Sequence, residues 1–152
     1  MLSNFEKALG FKLEAFNYLY VLCDYETLLK KNISLEKFVN LCKKNDVKVI
    51  QYRDKVSSLE EQKINLLYLK SELNIPIIIN DKIELIEYAD GLHLGQEDFL
   101  KIHKDKKLAI KLIRLKIKDK LLGLSTHNEL EILEANKLAL DMIGLGAYKN
   151  TN

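Results

Sequence analysis

From Tyr18 onward, short apolar runs alternate with longer segments in which apolar residues recur every three or four positions. The runs are YLYVLC (18–23), VKVIQY (47–52), PIIIN (76–80), DGLHL (90–94), LLGLS (121–125) and DMIGLG (141–146). Each has the length of a strand and is apolar on both parities, as expected for strands covered on both faces. The segments between them carry helix signals. Ser34 precedes LEKFVNLCKK, Ser58 with Glu61 makes a capping box, and Leu66, Leu69 and Leu73 share a helical face. Asn128 precedes ELEILEANKLA with Glu131 three residues on, and a further helix is expected over 82–88. Segment 101–120, KIHKDKKLAIKLIRLKIKDK, is ambiguous: Leu108, Leu112 and Leu115 have helical spacing, whereas Leu115 to Lys118 alternate like a strand. Helix is the better fit. Six strands interleaved with helices imply βα units around a parallel sheet, so the expected class is α/β, either a (βα) barrel or a doubly wound sheet.

Composition narrows this little. The 152 residues contain no proline-, glycine- or serine-rich linker, so 1–152 reads as one domain. Hydrophobic residues make up 47% and charged residues 30%, the balance of an ordinary globular protein, and a net charge of +2 selects no partner. No apolar run approaches the roughly 18 residues that span a bilayer. The first residues carry acids where a signal peptide has basic and apolar blocks, so a cytoplasmic location without membrane partners is expected. Cys23 and Cys42 have neither CxxC spacing nor a histidine partner and read as buried thiols. The eight lysines and Arg114 of 101–120 form a solvated helix face; without aromatic residues for base stacking they do not imply nucleic acid.

Five of the six glycines (91, 95, 123, 144, 146) fall in or beside predicted strands, where glycine weakens the strand and is expected to permit close approach by a ligand or a neighbouring backbone. None belongs to GxGxxG or GxxxxGK, which removes the main support for nucleotide-binding readings.

In parallel α/β folds the site lies at the strands' carboxyl ends. After the second run, Gln51, Arg53 and Lys55 share parity with Val47 and Val49 while the chain stays extended, placing cations on the strand face that is apolar lower down. Such a face suits an anionic ligand; the alternative is a surface pair between Arg53 and Asp54. Asn80-Asp81 and Gln96-Glu97-Asp98 follow the third and fourth runs, and their oxygens suit magnesium. Asp81 is equally suited to cap helix 82–88, and Asp98 to the first turn of the next helix. Ser125 shares parity with Gly123, so its hydroxyl either faces the barrel mouth and donates to a phosphate or closes a local turn. His93 shares parity with Gly91 and Gly95 and faces the axis, as a core or a catalytic histidine. His127 has no metal-ligating neighbour at useful spacing, and no GxSxG elbow supports a nucleophilic serine.

Taken together, LYVLCD, IQYRDK, IPIIINDKIELIEYADGLHLGQED, LLGLSTHN and DMIGLG resemble, in order and spacing, the thiamine phosphate synthase/thiazole tautomerase superfamily, and within it thiamine phosphate synthase. The resemblance implies a TIM-type barrel and a transferase of thiamine biosynthesis. It would join an aminopyrimidine diphosphate to a thiazole phosphate with Mg2+, releasing pyrophosphate. It also implies that Gln51, Arg53, Lys55 and Asn80 hold the diphosphate, with Arg53, Lys55 and Ser125 acting on the leaving group. Asp81 and Asp98 would bind magnesium, Gly95 would let the backbone bend beneath Asp98, and His93 would line the barrel. Thr151 would match the first threonine of the loop after strand six. Two features depart from the family. Segment 99–120 is longer than usual, and six βα units are present where eight close the barrel. Six strands leave unpaired edges. The expectation is therefore an incomplete barrel, either a shortened or interrupted version of a longer synthase or one whose open side is covered by a second copy or another chain. A thiazole tautomerase-like enzyme without a need for the paired aspartates, or a non-catalytic relic that binds phosphate ligands or a partner, are the competing functions.

Overall fold

Parallel neighbours cannot be joined by tight turns, so each strand must reach the next through a crossover, and the chain supplies one every time. The computed structural model describes residues 6–7 and 18–146. In chain order it contains β1 (Tyr20–Asp24), α1 (Tyr25–Lys30), α2 (Leu35–Lys44), β2 (Val49–Arg53), α3 (Leu59–Glu72) and β3 (Ile77–Asn80). A 3-10 helix (Ile83–Tyr88), β4 (Gly91–Leu94), α4 (Gln96–Ile102), α5 (Lys106–Ile117), β5 (Leu121–Thr126), α6 (Glu129–Ala135) and β6 (Met142–Leu145) follow. The six strands form one all-parallel sheet in sequential order, β1 to β6. This is the expected incomplete (βα) barrel wall.

The helix signals act as their chemistry requires. Ser34 accepts the Lys37 amide at 3.1 Å and Asn128 the Glu131 amide at 2.9 Å. Ser58 and Glu61 satisfy each other's backbone amides in a reciprocal box. Leu66 and Leu69 are buried on α3, while Leu73 sits at its extended C-cap. Segment 101–120 is largely helical, but α4 and α5 are separated at His103, and Asp105 caps the second by accepting the Leu108 amide. Its basic face is not wholly solvated. Lys106 pairs with Glu134, and the Lys120 ammonium donates to the Ile86 and Ala89 carbonyls at 2.6 Å each, where burial lowers its pKa. The helix expected over 82–88 is a 3-10 helix with Lys82 at its cap and no side-chain cap bond, so Asp81 is not its N-cap.

The two strand parities bury different things. Outward residues Ile50, Tyr52, Ile77, Ile79, Leu92 and Leu122 join Phe38, Leu66, Phe99 and Ile113 of the helices in the main core. Burial of each such side chain contributes about 1.5–3 kcal/mol. Inward, Val49, Ile78 and Leu121, with Met142 against them, form a small buried apolar floor among the described residues. At the open edges the cover ends: Tyr20 and Leu22 of β1 and Ile143 and Leu145 of β6 are exposed. Cys23 and Cys42 are buried free thiols, and burial raises both thiol pKa values.

A repeated ion-pair clamp closes the amino-terminal ends of the strands. Asp90, just before β4, accepts the Ile77 amide of β3 at 2.9 Å and pairs with Lys70 of α3 at 2.7 Å. Asp141, just before β6, accepts the Leu122 amide of β5 at 2.9 Å and pairs with Arg114 of α5 at 2.7 Å. In each case one carboxylate satisfies an amide at the ladder's end and anchors the crossover helix. Among the described residues no helix is long and apolar enough to cross a membrane.

Candidate functional site

The inward parity carries the polar residues upward from the apolar floor to the carboxyl ends. Adjacent strands place Asp24 beside Arg53, Asn80 beside His93, His93 beside Gly123, and Ser125 beside Gly144. Gln51, 8% exposed, donates its amide to the Tyr20 hydroxyl at 2.8 Å. Arg53 pairs with Asp24 and not with Asp54. Asp24 also caps α1, its Oδ1 accepting the Thr27 amide at 2.9 Å. Burial pulls the Asp24 carboxyl pKa up, but the Thr27 and Arg53 donors outweigh this and hold it below the ordinary value.

Asp54 lies on the opposite parity and is 4% exposed. It accepts the Tyr52 hydroxyl at 2.8 Å and the Val56 and Ser57 amides at 2.9 Å each, and Asn65 donates to the same tyrosine oxygen. The loop after β2 is therefore wound around a buried carboxylate. Because the strand ends at Arg53, Lys55 does not continue the inward parity; it is exposed in the bend that Asp54 organises.

Asp81 makes the turn out of β3 with φ of 61°, a left-handed conformation that aspartate tolerates better than most residues. Its amide donates to the His93 carbonyl at 2.9 Å, its Oδ1 accepts the Gly95 amide at 3.1 Å, and the Asn80 amide donates to its Oδ2. Asp98 stands in the first turn of α4, where Lys101 donates to its Oδ1 at 2.8 Å. Its Oδ2 would lie 3.7 Å from a Cβ on Gly95. The two aspartates thus converge on Gly95, one at its amide and one beside its Cα. The bend itself needs no glycine, since Gly95 has φ of −72° and ψ of 159°. No group of three or more His, Cys, Asp or Glu side chains among the described residues is arranged to hold a metal. Magnesium needs none: one or two carboxylates suffice when water and phosphate oxygens complete its shell.

Ser125 does not close a local turn. Its hydroxyl is 3.0 Å from His93 Nε2, and its carbonyl accepts the Gln96 side-chain amide at 2.6 Å, so Gln96 braces β5 and is not placed as an oxygen ligand. His93 is 6% exposed and lies across the interior. Burial lowers its pKa, partly opposed by the Asp81 carboxylate. The expected role of the strand glycines changes here. A Cβ on Gly123 would stand 2.5 Å from His93 Nδ1, and one on Gly144 would stand 3.2 Å from its Cε1. The close approach is by an imidazole, not by a ligand or a backbone. Gly91 meets the expectation of a close neighbouring backbone: its Cβ would lie 2.8 Å from the Leu121 carbonyl oxygen and 2.6 Å from Leu121 Cβ.

Thr151 lies outside the described residues. His127 is exposed and bonded to Glu131 at 3.0 Å. Asp24 and Tyr20 escaped the sequence reading, and Asp54 entered it only as a surface partner for Arg53. The first two share the parity of Leu22 within LYVLCD, which was the available signal. Asp54 offered none, because its burial depends on Tyr52 and on the loop's own amides.

Comparison with known proteins bears on the family and the fold. Residues 19–152 match the family model for thiamine monophosphate synthase. The thiamine-phosphate synthase of Clostridium acetobutylicum is 34% identical over 139 residues, covering 88% of this chain and 61% of that protein. That of Shouchella clausii is 40% identical over 111 residues, covering 70% of this chain and 49% of its own length. Among solved structures, thiamine phosphate pyrophosphorylase from Pyrococcus furiosus superposes with a TM-score of 0.69 at 24% identity, over 88% of this chain and 62% of that one; this likeness bears on the fold. The chain spans about three fifths of the length of relatives such as the Clostridium protein. A family match running from the first strand through the last, over a parallel wall that gathers these polar residues at its carboxyl ends, places the chain in the thiamine monophosphate synthase family.

Proposed function

We propose that this chain carries the diphosphate half of a thiamine phosphate synthase site, for a magnesium-dependent condensation of an aminopyrimidine diphosphate with a thiazole phosphate. One observation carries the reading: Asp81 and Asp98 meet at Gly95, at the same carboxyl edge of the sheet where β2 ends at Arg53, β3 at Asn80 and β5 carries Ser125. Two carboxylates supply hard oxygen ligands, and the cation and hydroxyl beside them supply donors to phosphate oxygens. Asp81 and Asp98 would hold the magnesium ion, which would supply positive charge to the diphosphate. Arg53, turning from Asp24, binds the same group with Gln51 beneath it and Asn80 beside it on the next strand, and Lys55 reaches it from the bend. Negative charge grows on the pyrophosphate as its C–O bond breaks. A well-placed donor against such charge contributes about 3–4 kcal/mol to the rate. The carbon left behind is a pyrimidine-stabilised cation, which the thiazole nitrogen captures, so no covalent nucleophile is needed.

The same reading gives Thr151 to substrate binding, in the loop that serves the thiazole phosphate and part of the pyrophosphate, treats 1–152 as one domain and assigns the protein to the cytoplasm. The exposed inward residues of β1 are then covered by further chain or by a second copy. Titration calorimetry with the aminopyrimidine diphosphate, with and without magnesium, tests it. Magnesium-dependent binding that disappears in Asp98→Asn, with the circular dichroism spectrum retained, is the expected result. Metal-independent binding would favour a tautomerase-like pocket, and absence of binding would refute a diphosphate site.

A further inference from the structure

His93 occupies an unusual position for a polar ring. It is only 6% exposed, and its Nδ1 has no hydrogen-bond partner among the described residues. Its Nε2 faces the Ser125 hydroxyl at 3.0 Å. The ring is wedged between two glycines, since a Cβ on Gly123 would lie 2.5 Å from Nδ1 and one on Gly144 would lie 3.5 Å from Nε2. At Gly123 only hydrogen leaves room for the ring, and at Gly144 a methyl would press on it, its closest approach 3.2 Å from Cε1.

Which ring nitrogen carries the proton decides what Ser125 does. If the proton were on Nδ1, a buried N–H would have no acceptor and would meet the Cα hydrogen of Gly123, which stands where the Cβ would be. With the proton on Nε2, the Nδ1 lone pair meets that C–H instead, a weakly attractive contact in place of a repulsive one. We infer that His93 is a positioning residue: its Nε2–H donates to the Ser125 oxygen, so the Ser125 proton is turned away from the ring, toward an acceptor in the barrel mouth.

Gln96 completes the device by holding the Ser125 carbonyl at 2.6 Å, so the residue is fixed at its backbone and its hydroxyl. Ser125 then presents a donor and no longer behaves as an ambivalent hydroxyl. A donor selects against cations and favours anionic oxygens. Taking that acceptor to be a phosphate oxygen rests on the diphosphate site proposed above. The glycines at 123 and 144, 21 residues apart, become parts of the same machinery, because they leave the slot that holds the ring.

The test begins with the unmodified protein. Long-range proton–nitrogen correlation of the 15N-histidine-labelled chain at neutral pH should show His93 as the Nε2–H tautomer; the Nδ1–H pattern would overturn the inference. The second arm measures inorganic pyrophosphate binding with magnesium. His93→Leu, which has no donor, should weaken binding about tenfold, and His93→Gln, whose amide nitrogen replaces Nε2, should recover most of the loss. Equal losses in both variants would overturn the positioning role, because packing alone would then explain them. If the unmodified chain binds no pyrophosphate but shows the Nε2–H tautomer, the diphosphate reading fails while the hydroxyl's orientation stands.

Discussion

Replacing Asp24 by asparagine separates two jobs that the wild-type carboxylate performs at once. One oxygen caps α1 through the Thr27 amide at 2.9 Å, and the other pairs with Arg53. Asparagine retains an acceptor for the cap, worth about 1 kcal/mol, and loses the charge that holds the guanidinium. The pair is half-buried, its side chains 30% and 21% exposed. Exposed pairs contribute about 0.2–1 kcal/mol and breaking fully buried ones costs about 3–5 kcal/mol, so about 1 kcal/mol is a reasonable value here. If Arg53 must leave Asp24 to meet a diphosphate, that interaction opposes binding in the wild type. Its removal should tighten magnesium–pyrophosphate binding by about fivefold, the equivalent of 1 kcal/mol, while stability toward urea falls by a similar amount. The loss of a carboxylate that repels the ligand acts in the same direction. Calorimetry on both proteins, with urea unfolding in parallel, measures the two effects. Unchanged or weaker affinity in a folded Asp24→Asn protein would refute the reasoning, and would mean that Asp24 holds Arg53 in the pose the ligand needs.

Gly123→Ala should destabilise the protein by about 1–3 kcal/mol, the range for overpacking, because the new methyl would lie 2.5 Å from His93 Nδ1 and 2.9 Å from Met142 Cγ. Thermal unfolding measures it, and Gly144→Ala, whose shortest contact would be 3.2 Å, should cost less. A wild-type melting temperature for Gly123→Ala would show that the ring has room to move. Asp54→Asn tests the loop that carries Lys55. Burial raises the Asp54 pKa, but the Ser57 and Val56 amides and the Tyr52 hydroxyl hold it below the ordinary value of 3.8. Its contribution is therefore complete above that pH and drains away as pH falls below it. The variant should lose about 1.5–3 kcal/mol at neutral pH, the scale of hydrogen bonds to a charged group, and show a flatter acid limb in urea unfolding. Parallel acid limbs in the two proteins would contradict the assignment.

The wall was legible in the sequence because a strand's period of two is a property of backbone geometry, readable within five or six residues. Parity alone placed Gln51, Arg53, His93 and Ser125 on the inward face, and the same short-range physics identified the caps at Ser34, Ser58 and Asn128. The partners of those inward residues were another matter. Arg53 meets Asp24 across 29 positions and His93 meets Ser125 across 32, and both encounters depend on which residues the parallel register sets side by side. Parity also fails where a strand stops, which is why Lys55 left the face that Arg53 keeps. Asp81 turned out to bond the Gly95 amide instead of capping a helix, because its left-handed φ directs the chain elsewhere. Local pattern determines which face a side chain occupies, since that follows from neighbouring dihedral angles. Which group it touches on that face is decided by the tertiary structure, because register and element ends are settled by contacts between segments far apart in the chain.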